Sequence, residues 1–222
     1  VDDQKMAPLT EEEHQQLEEN VSTMYSASDG SVLRALSGNA SSTWGLAITT
    51  ETGIIIRSQK VAVRQTEESS YKVEMEGLKA AYQIIPASVQ PIHAVDNLQT
   101  IKTHKWLSGF TTRPTYDQCR RKQYNTTILT LWDAMTNRGK ILNVVHTKSH
   151  LEHQETDDVD LATRRNILAK ADKAAGQAHE LEEFKAPPID YQLYHNYLPI
   201  EKKVSADDDD DSADDDDSAD DD

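Results

Sequence analysis

The sequence predicts an α/β fold built on a mixed five-stranded sheet with helices packed against it. Three apolar runs joined by turns, between residues 21 and 63, indicate an antiparallel meander. The hydrophobic period then becomes helical, and short apolar strands alternate with helices as far as residue 185. Because strand–helix–strand crossovers join parallel strands, the sheet is expected to combine antiparallel and parallel pairing.

The meander is predicted from three segments in sequence. The first strand covers residues 21–26 and is expected to end at Asp29, and residues 44–48 form the second. A tight turn at residues 51–53 leads into the third strand, which is predicted to run over residues 54–63. Short turns of this kind connect neighbouring antiparallel strands.

Helices and strands alternate after the meander. A helix is predicted over residues 67–85 and stops at Pro86, which cannot continue it. A short strand over residues 92–95 ends at Asp96 and precedes a helix over residues 98–106. The last predicted elements are one long helix over residues 116–135, a strand over residues 141–145 and a helix over residues 161–184.

Negative charge is concentrated at the two ends of the chain. The final 16 residues hold twelve Asp and no base, out of a formal net charge of −16, and the first 20 residues carry −6. The intervening chain therefore carries about +2 and can bind nucleic acid if its bases cluster on one face. We expect four parts: an acidic lead-in arm with too few apolar residues to bury (1–20), a folded domain (21–185), an extended tail (186–205) and a disordered poly-Asp tail (206–222).

Cysteine content and hydropathy exclude two classes of protein. Cys119 is the only cysteine, so there is no disulfide framework and no cysteine-based zinc site. No apolar run approaches ~18 residues, so no membrane span is expected. The sequence therefore predicts an intracellular protein of a reducing compartment, without separating cytoplasm from nucleus.

Four acidic residues occupy comparable places in the predicted elements. Asp29 and Asp96 follow neighbouring strands, Glu74 lies on the sheet-facing side of the first helix, and Asp172 lies in the last helix. Plainer interpretations are a turn residue for Asp29, a helix cap for Asp96 and a surface charge for Asp172. Glu74 resists such an interpretation, because its helical face is otherwise apolar and an unpaired buried carboxylate is costly.

Six short motifs surround these acids in a fixed order along the predicted topology. They are SDGS at 28–31, WG at 44–45, SYKVEMEGL at 70–78, VDN at 95–97, TKSH at 147–150 and ADKAA at 171–175. In this order the sequence resembles the type-1 ribonuclease H domain over roughly residues 20–180. It looks most like the versions found in retrotransposon and reverse-transcriptase polyproteins. The resemblance implies an RNase H-like fold.

The resemblance also implies a DEDD active site formed by Asp29, Glu74, Asp96 and Asp172. These carboxylates would bind two Mg²⁺ ions, which Mn²⁺ can replace. The implied activity is that of an endonuclease that hydrolyses the RNA strand of RNA–DNA hybrids and leaves a 5′-phosphate and a 3′-hydroxyl. Such hydrolysis needs an activated water and a stabilised leaving oxygen, and two hard cations about 4 Å apart supply both.

Two of the implied ligands have rivals in the sequence. Glu76 is the rival of Glu74, but it shares a solvated helical face with Lys79, so Glu74 is preferred. The loop at residues 151–165 is longer and more acidic than is usual in the family, which leaves the place of Asp172 open. The alternatives to Asp172 in that loop are Asp157, Asp158 and Asp160.

The resemblance implies a catalytic role for His150, which follows the fifth predicted strand. An imidazole there would transfer protons during water activation or product release near neutral pH. His146 and His153 are nearby alternatives, and a plain surface histidine is the structural interpretation.

Substrate contacts are predicted in two places. A basic cluster that follows Arg113 and Tyr116 matches the position where some family members grip the hybrid backbone, with salt-sensitive phosphate contacts. A glycine without a Cβ permits close approach of a phosphate, and small polar side chains beside it can contact a 2′-hydroxyl. The predicted substrate-binding residues are Gly30, Ser31, Asn97, Arg120, Arg121 and Lys122.

Other functions are open at this stage. The alternatives are an RNase H-like DNA nuclease or transposase-type enzyme, and a non-catalytic RNase H-like scaffold module. The sequence contains no reverse-transcriptase motif. Any polymerase would therefore be expected elsewhere in a parent polyprotein, in keeping with a retroelement origin.

Overall fold

The computed structural model describes residues 7–20, 23–34, 40–61, 69–119, 122 and 124–180. The strands in these ranges are β1 (Tyr25–Arg34), β2 (Ala40–Thr49), β3 (Ile54–Val61), β4 (Ile92–Val95) and β5 (Asn143–His146). The helices are α1 (Glu11–Glu18), α2 (Ser70–Ile84), α3 (Leu98–Ser108), α4 (Tyr116–Cys119), α5 (Asn125–Arg138) and α6 (Val159–Ala178). The tails predicted at 186–205 and 206–222 lie outside the described residues.

The five strands form one mixed sheet in the order β3-β2-β1-β4-β5. β1, β2 and β3 pair antiparallel, whereas β4 pairs parallel with both β1 and β5. The meander and the two parallel crossovers are those that the sequence predicts. The predicted fold class, an RNase H-like mixed sheet flanked by helices, is confirmed.

Helices cover both faces of the sheet. Because side chains alternate along a strand, neighbouring residues of β2 belong to different faces. Leu46 and Ile48 lie in the larger core with α2, α3 and α5, whereas Ala47 faces α6. The α6 side is lined by small residues, which allow the helix to approach closely: Ala27, Ala47, Ala94 and Ala171.

Gly45 is the point of closest approach between β2 and α6. A Cβ atom added there would lie 2.1 Å from the carbonyl oxygen of Ala171 and 2.6 Å from the backbone nitrogen of Ala175. Both are backbone atoms and cannot rotate away, so only glycine fits at this position. The WG motif thus fixes where α6 lies on the sheet.

β1 is longer than predicted, and Asp29 lies within it rather than after it. The strand pairs with β2 from Ser26 to Arg34, with Asp29 opposite Gly45. The predicted strand was too short because Ser26 and Ser28, although polar, are buried, so the apolar alternation does not show that the strand continues. Their hydroxyl groups bond the two ring nitrogens of the buried His93, at 2.8 and 3.0 Å.

The long helix predicted over residues 116–135 is two helices. α4 ends at Cys119 and α5 begins at Asn125, because Tyr124 has a φ of 61° and a left-handed conformation that no α-helix continues. The ring centroid of Tyr124 lies 6.0 Å from that of Tyr71 on α2. The prediction was wrong because no Gly or Pro marks the break.

The amino-terminal segment packs more closely than expected. The prediction that its apolar residues are too few to bury is wrong, since Leu9 and Leu17 belong to the larger core. Thr10 and Glu13 form a capping box at the start of α1. Arg57 on β3 bonds Glu13 at 2.5 Å and the carbonyl oxygen of Ala7 at 3.2 Å.

Among the helices of the described ranges, none has the length and apolar character that crossing a bilayer requires.

Candidate active site

The carboxyl groups of Asp29 on β1 and Glu74 on α2 lie close enough to influence each other, and both are buried. They are 8% and 5% exposed, respectively. The backbone nitrogen of Gly30 donates to Asp29 Oδ1 at 2.9 Å. Burial raises the pKa of Asp29, and burial together with the charge of Asp29 raises the pKa of Glu74 well above its ordinary value. Two carboxyl groups so close together share a proton more readily than they both ionise.

Gly30 is what brings Glu74 this close to β1. A Cβ atom at Gly30 would lie 2.8 Å from the backbone nitrogen of Glu74 and 2.9 Å from Val73 Cβ. The first turn of α2 therefore rests directly on the strand. This gives Gly30 a structural function, and a phosphate contact at Gly30 stays a prediction.

Asp96 follows β4, and its carboxylate is held from the neighbouring loop. Ser149 Oγ donates to Asp96 Oδ2 at 2.5 Å, and His146 Nε2 lies 3.8 Å from Asp96 Oδ1. The residue that caps α3 is Asn97 and not Asp96, because Asn97 Oδ1 accepts hydrogen bonds from the backbone of α3. The Asp96 side chain is thus not used as a cap, and a substrate contact by Asn97 stays a prediction.

Asp172 reaches the same region from α6. The negative charges of Asp172 and Asp96 both contribute to the raised pKa of Asp29, which brings the four acids into one electrostatic cluster. Two of the three rivals that the sequence offered, Asp158 and Asp160, are engaged elsewhere, whereas Asp157 stays an open alternative. Asp158 caps α6 by accepting from the backbone nitrogen of Leu161 at 3.0 Å, and Asp160 pairs with Arg164 at 2.8 Å. Glu76, the rival of Glu74, pairs with Lys79.

His150 lies beside this cluster. Its Nδ1 is 3.9 Å from Asp172 Oδ2, and its side chain is 76% exposed. Its φ of 55° places the backbone in the left-handed region, which is uncommon outside glycine. His146 approaches Asp96 instead, and His153 lies beside Glu152 with its side chain 95% exposed.

The four acids match a hard divalent cation in donor chemistry. Glu74 Oε2 is buried and has no hydrogen-bond partner, and carboxylate oxygens are the ligands that Mg²⁺ prefers. With the side chains as they stand, no group of three or more His, Cys, Asp or Glu in the described ranges is placed to hold an ion. The fit thus lies in the donor set and the unpartnered Glu74 oxygen, not in a formed ligand shell.

The predicted basic cluster is described only in part. Lys122 Nζ lies 5.0 Å from the centroid of the Trp106 ring, a cation–π geometry. Arg113 forms a two-pronged pair with Asp133, at 2.7 and 2.9 Å. Arg120 and Arg121 lie outside the described residues, so their backbone contacts stay predictions.

Sequence reasoning missed one residue next to a predicted contact. His179, the C-cap residue of α6, has Nε2 2.9 Å from Ser31 Oγ and Nδ1 2.9 Å from Ser41 Oγ. The available signal was its place two helical turns after Asp172, on the same face of the same helix. Ser31 is therefore tied to the helix that carries Asp172.

No protein-family model matches the sequence, and no curated protein matches it. Solved structures with a similar course include the prototype foamy virus protease–reverse transcriptase, with 15% identity, 72% of this chain and 21% of that chain covered, and a TM-score of 0.49. The PFV RNase H domain is 11% identical, with 70% of this chain and 93% of that chain covered and a TM-score of 0.48. RNase H1 from the archaeon Halobacterium salinarum NRC-1 gives 14% identity, 72% and 98% coverage and a TM-score of 0.36.

The chain thus spans about a fifth of the length of the protease–reverse transcriptase that it resembles. At these identities and TM-scores the likenesses carry no argument of their own. The sheet order and the helices on its two faces define the class: an RNase H-like domain.

Proposed function

We propose that this RNase H-like domain is a metal-dependent endonuclease that hydrolyses the RNA strand of RNA–DNA hybrids. The observation that carries the proposal is the convergence of Asp29, Glu74, Asp96 and Asp172 from separate elements, with one Glu74 oxygen buried and unpartnered. Burying the carboxyl groups of Asp29 and Glu74 lowers the stability of the fold. Their raised pKa values are typical of functional sites.

Each acid has a defined part in the proposed site. The four carboxylates would hold two Mg²⁺ ions, with Mn²⁺ as a substitute, and the ions supply an activated water and charge neutralisation at the leaving oxygen. Ser149 keeps one Asp96 oxygen oriented through its hydrogen bond. A bound cation would favour the ionised forms of Asp29 and Glu74, because a nearby positive charge lowers the pKa of a carboxyl group.

His150 suits proton exchange between the site and solvent. Its ring is mostly exposed and lies next to Asp172, so it can reach both bulk water and the acid cluster. Near neutral pH an imidazole accepts and donates protons with little cost. The proposed role is removal of the proton from the attacking water or its delivery to the leaving 3′-oxygen.

The hybrid is proposed as the substrate on the strength of the six ordered motifs and of Ser31. This hydroxyl lies two residues along β1 from Asp29, where it can contact the sugar-phosphate backbone. The motif resemblance also supports a place beside a polymerase domain in the polyprotein of a retroelement.

A cleavage assay tests the proposal. Labelled RNA–DNA hybrid, duplex DNA and duplex RNA of one sequence are incubated with the full chain and Mg²⁺. The expected result is cleavage of the RNA strand of the hybrid alone, with 5′-phosphate products, which stops with a chelator and returns with Mg²⁺ or Mn²⁺. Equal cleavage of duplex DNA would favour the DNA-nuclease alternative, and no cleavage of any substrate would favour the scaffold alternative.

A further inference from the structure

His179 connects the end of α6 to the two central strands through three hydroxyl groups. Its Nε2 lies 2.9 Å from Ser31 Oγ and 3.2 Å from Thr43 Oγ1, and its Nδ1 lies 2.9 Å from Ser41 Oγ. Ser31 and Thr43 face each other across β1 and β2. A neutral imidazole has one N–H donor and one acceptor nitrogen, so the hydroxyl groups decide which nitrogen carries the proton.

Thr43 decides the tautomer. Its hydroxyl group donates to the carbonyl oxygen of Ala175 at 2.7 Å, which is shorter than its contacts with His179 Nε2 at 3.2 Å and with the carbonyl oxygen of Ser31 at 3.5 Å. Because Thr43 has one hydroxyl hydrogen and the contact with Ala175 is the shortest, that hydrogen goes to the Ala175 carbonyl group and not to His179. Thr43 Oγ1 can therefore only accept from His179, which requires the hydrogen to be on Nε2.

This arrangement fixes the direction of the hydrogen bond to Ser31. With the proton on Nε2, His179 donates to both Thr43 and Ser31, and Nδ1 accepts from the Ser41 hydroxyl. Ser31 Oγ is then an acceptor toward His179. Its own hydrogen is left to an acceptor other than the imidazole.

The position of Ser31 indicates what that acceptor is. Ser31 is half-buried and follows Asp29 by two residues in β1, so both belong to the same face of the sheet, about 7 Å apart. A nucleic-acid strand bound at the acid cluster presents two oxygen acceptors near such a hydroxyl: the ribose 2′-oxygen and the phosphate oxygens.

We propose that His179 is a positioning residue that holds the Ser31 hydroxyl as a hydrogen-bond donor to a backbone oxygen of the nucleic-acid strand at the acid cluster. The inference rests on the proposed function for the identity of the ligand. The tautomer and the direction of the His179–Ser31 bond are properties of the free protein.

The tautomer is tested first, without substrate. Long-range ¹H–¹⁵N spectra of the ¹⁵N-labelled full chain at pH 7.5 distinguish the two neutral tautomers of each histidine, and the signals that disappear in His179→Gln assign His179. We expect the Nε2–H tautomer. An Nδ1–H tautomer would overturn the inference, because Nε2 would then accept from Ser31 and consume its hydrogen.

The coupling to substrate is tested by a double-mutant cycle. Binding of labelled hybrid is followed by fluorescence anisotropy in chelator for Ser31→Ala, His179→Ala and the double variant. Each single change should weaken binding about fivefold, and the double variant should be no weaker than Ser31→Ala alone, because His179 acts through Ser31. Additive losses, or full affinity in His179→Ala, would overturn the inference.

A conservative variant and a second ligand sharpen the cycle. His179→Gln keeps an N–H donor at the same reach and should recover part of the affinity; it also replaces His179→Ala in the cycle if that variant does not fold by circular dichroism. Losses confined to the hybrid identify the 2′-oxygen, and equal losses on duplex DNA identify a phosphate oxygen. Hybrid cleavage by the unsubstituted protein with Mg²⁺ tests the proposed function separately. If it cleaves while the cycle is additive, only the His179 inference fails.

Discussion

The carboxyl group of Asp29 lies beside that of Glu74, although both are almost completely buried and acidic. Burial raises both pKa values, and the charge of Asp29 raises the pKa of Glu74 further. The pair is therefore a local cost to the fold. A substitution that removes one charge should stabilise the domain while it removes the proposed function.

Asp29→Asn should abolish hybrid cleavage and leave the free energy of unfolding unchanged or about 1 kcal/mol higher. It removes a proposed ligand and also the repulsion of Glu74. Cleavage rates with Mg²⁺ and urea unfolding at pH 7.5 check the two parts. The cleavage rate should fall by more than the ~10–100-fold that is typical when a residue beside a metal ligand is changed. Full activity at matched folding would show that the site is elsewhere.

Glu74→Gln and Glu76→Gln form a matched pair on one helix. Glu74 is buried beside Asp29, whereas Glu76 pairs with Lys79, so only Glu74→Gln should stop cleavage; the Glu76 variant should stay within about threefold of the original rate. Because the pKa of Glu74 is raised in the folded state, Glu74 destabilises the fold at pH values above the ordinary pKa of a carboxyl group. Glu74→Gln removes this cost, so it should stabilise the protein at pH 7.5, and the gain should fade as the pH falls toward that ordinary pKa. Reversed effects in the cleavage assay would contradict the assigned face of α2.

Two buried histidines should make the domain less stable in mild acid. Burial lowers the pKa of His93 to about 3 and that of His104 to about 4, both from 6.5. Each binds a proton more weakly when folded, so its contribution is complete above pH 6.5 and is lost as the pH falls from there toward the folded pKa. Between pH 7.5 and 5 the loss is about 2 kcal/mol for each histidine.

The measurement is urea unfolding of the Asp29→Asn/Glu74→Gln variant at both pH values, since the raised pKa values of those two acids act in the opposite direction. His153→Gln is the control, because His153 is 95% exposed and should leave the pH dependence unchanged. A free energy of unfolding that is the same at pH 7.5 and 5 would contradict the buried neutral state of His93 and His104.

Gly45→Ala should displace α6 and cost about 3 kcal/mol or more, since the added methyl group meets backbone atoms of Ala171 and Ala175. Cleavage should fall with it, because Asp172 moves with the helix. Gly53→Ala is the control: nothing lies within 4 Å of its added Cβ, and the change should be below about 1 kcal/mol. Thermal unfolding of the two variants decides, and equal stability of both would mean that α6 does not rest on Gly45.

Deletion of residues 205–222 should leave hybrid cleavage at saturating Mg²⁺ unchanged or faster. The segment carries twelve Asp, whose negative potential repels a polyanionic substrate. The gain should shrink as salt rises, because the Debye length is only ~8 to 10 Å at physiological ionic strength. Cleavage rates of both chain lengths across a salt series provide the measurement. If cleavage required residues 205–222 at every salt concentration, the tail would be part of the active site and this prediction would be wrong.

The parts that the sequence predicted well are those written in local patterns. Alternating apolar runs defined the meander. Gly77 marked the face of α2 that carries Glu74, and this face does lie against β1: a Cβ atom added at Gly77 would be 3.2 Å from Ser28 Cβ. The order of the elements then placed Asp29 and Asp96 at neighbouring strands, and the structure has Asp29 in β1 and Asp96 directly after the adjacent β4. The metal-ligand and substrate roles stay predictions.

The parts that sequence reasoning missed depend on partners far along the chain. Ser26 and Ser28 are tolerated inside the sheet only because His93 bonds both, and the left-handed Tyr124 carries no local sequence signal. Arg138 is buried at the end of α5 because it donates to the carbonyl oxygens of Ile85 and Pro86, which lie more than 50 residues earlier in the chain. No local pattern predicts such long-range hydrogen bonds.

The burial of Leu9 and Leu17 changes where the cooperative folding unit begins. Burying two leucine side chains contributes roughly 3–6 kcal/mol, which is comparable to a large fraction of the 5–15 kcal/mol that holds a typical domain together. A chain shortened to begin after residue 20 would lose both leucines and the Glu13–Arg57 pair, and would uncover part of the larger core. We therefore expect the smallest autonomously folding piece of this protein to include α1, and α1 to unfold together with the sheet.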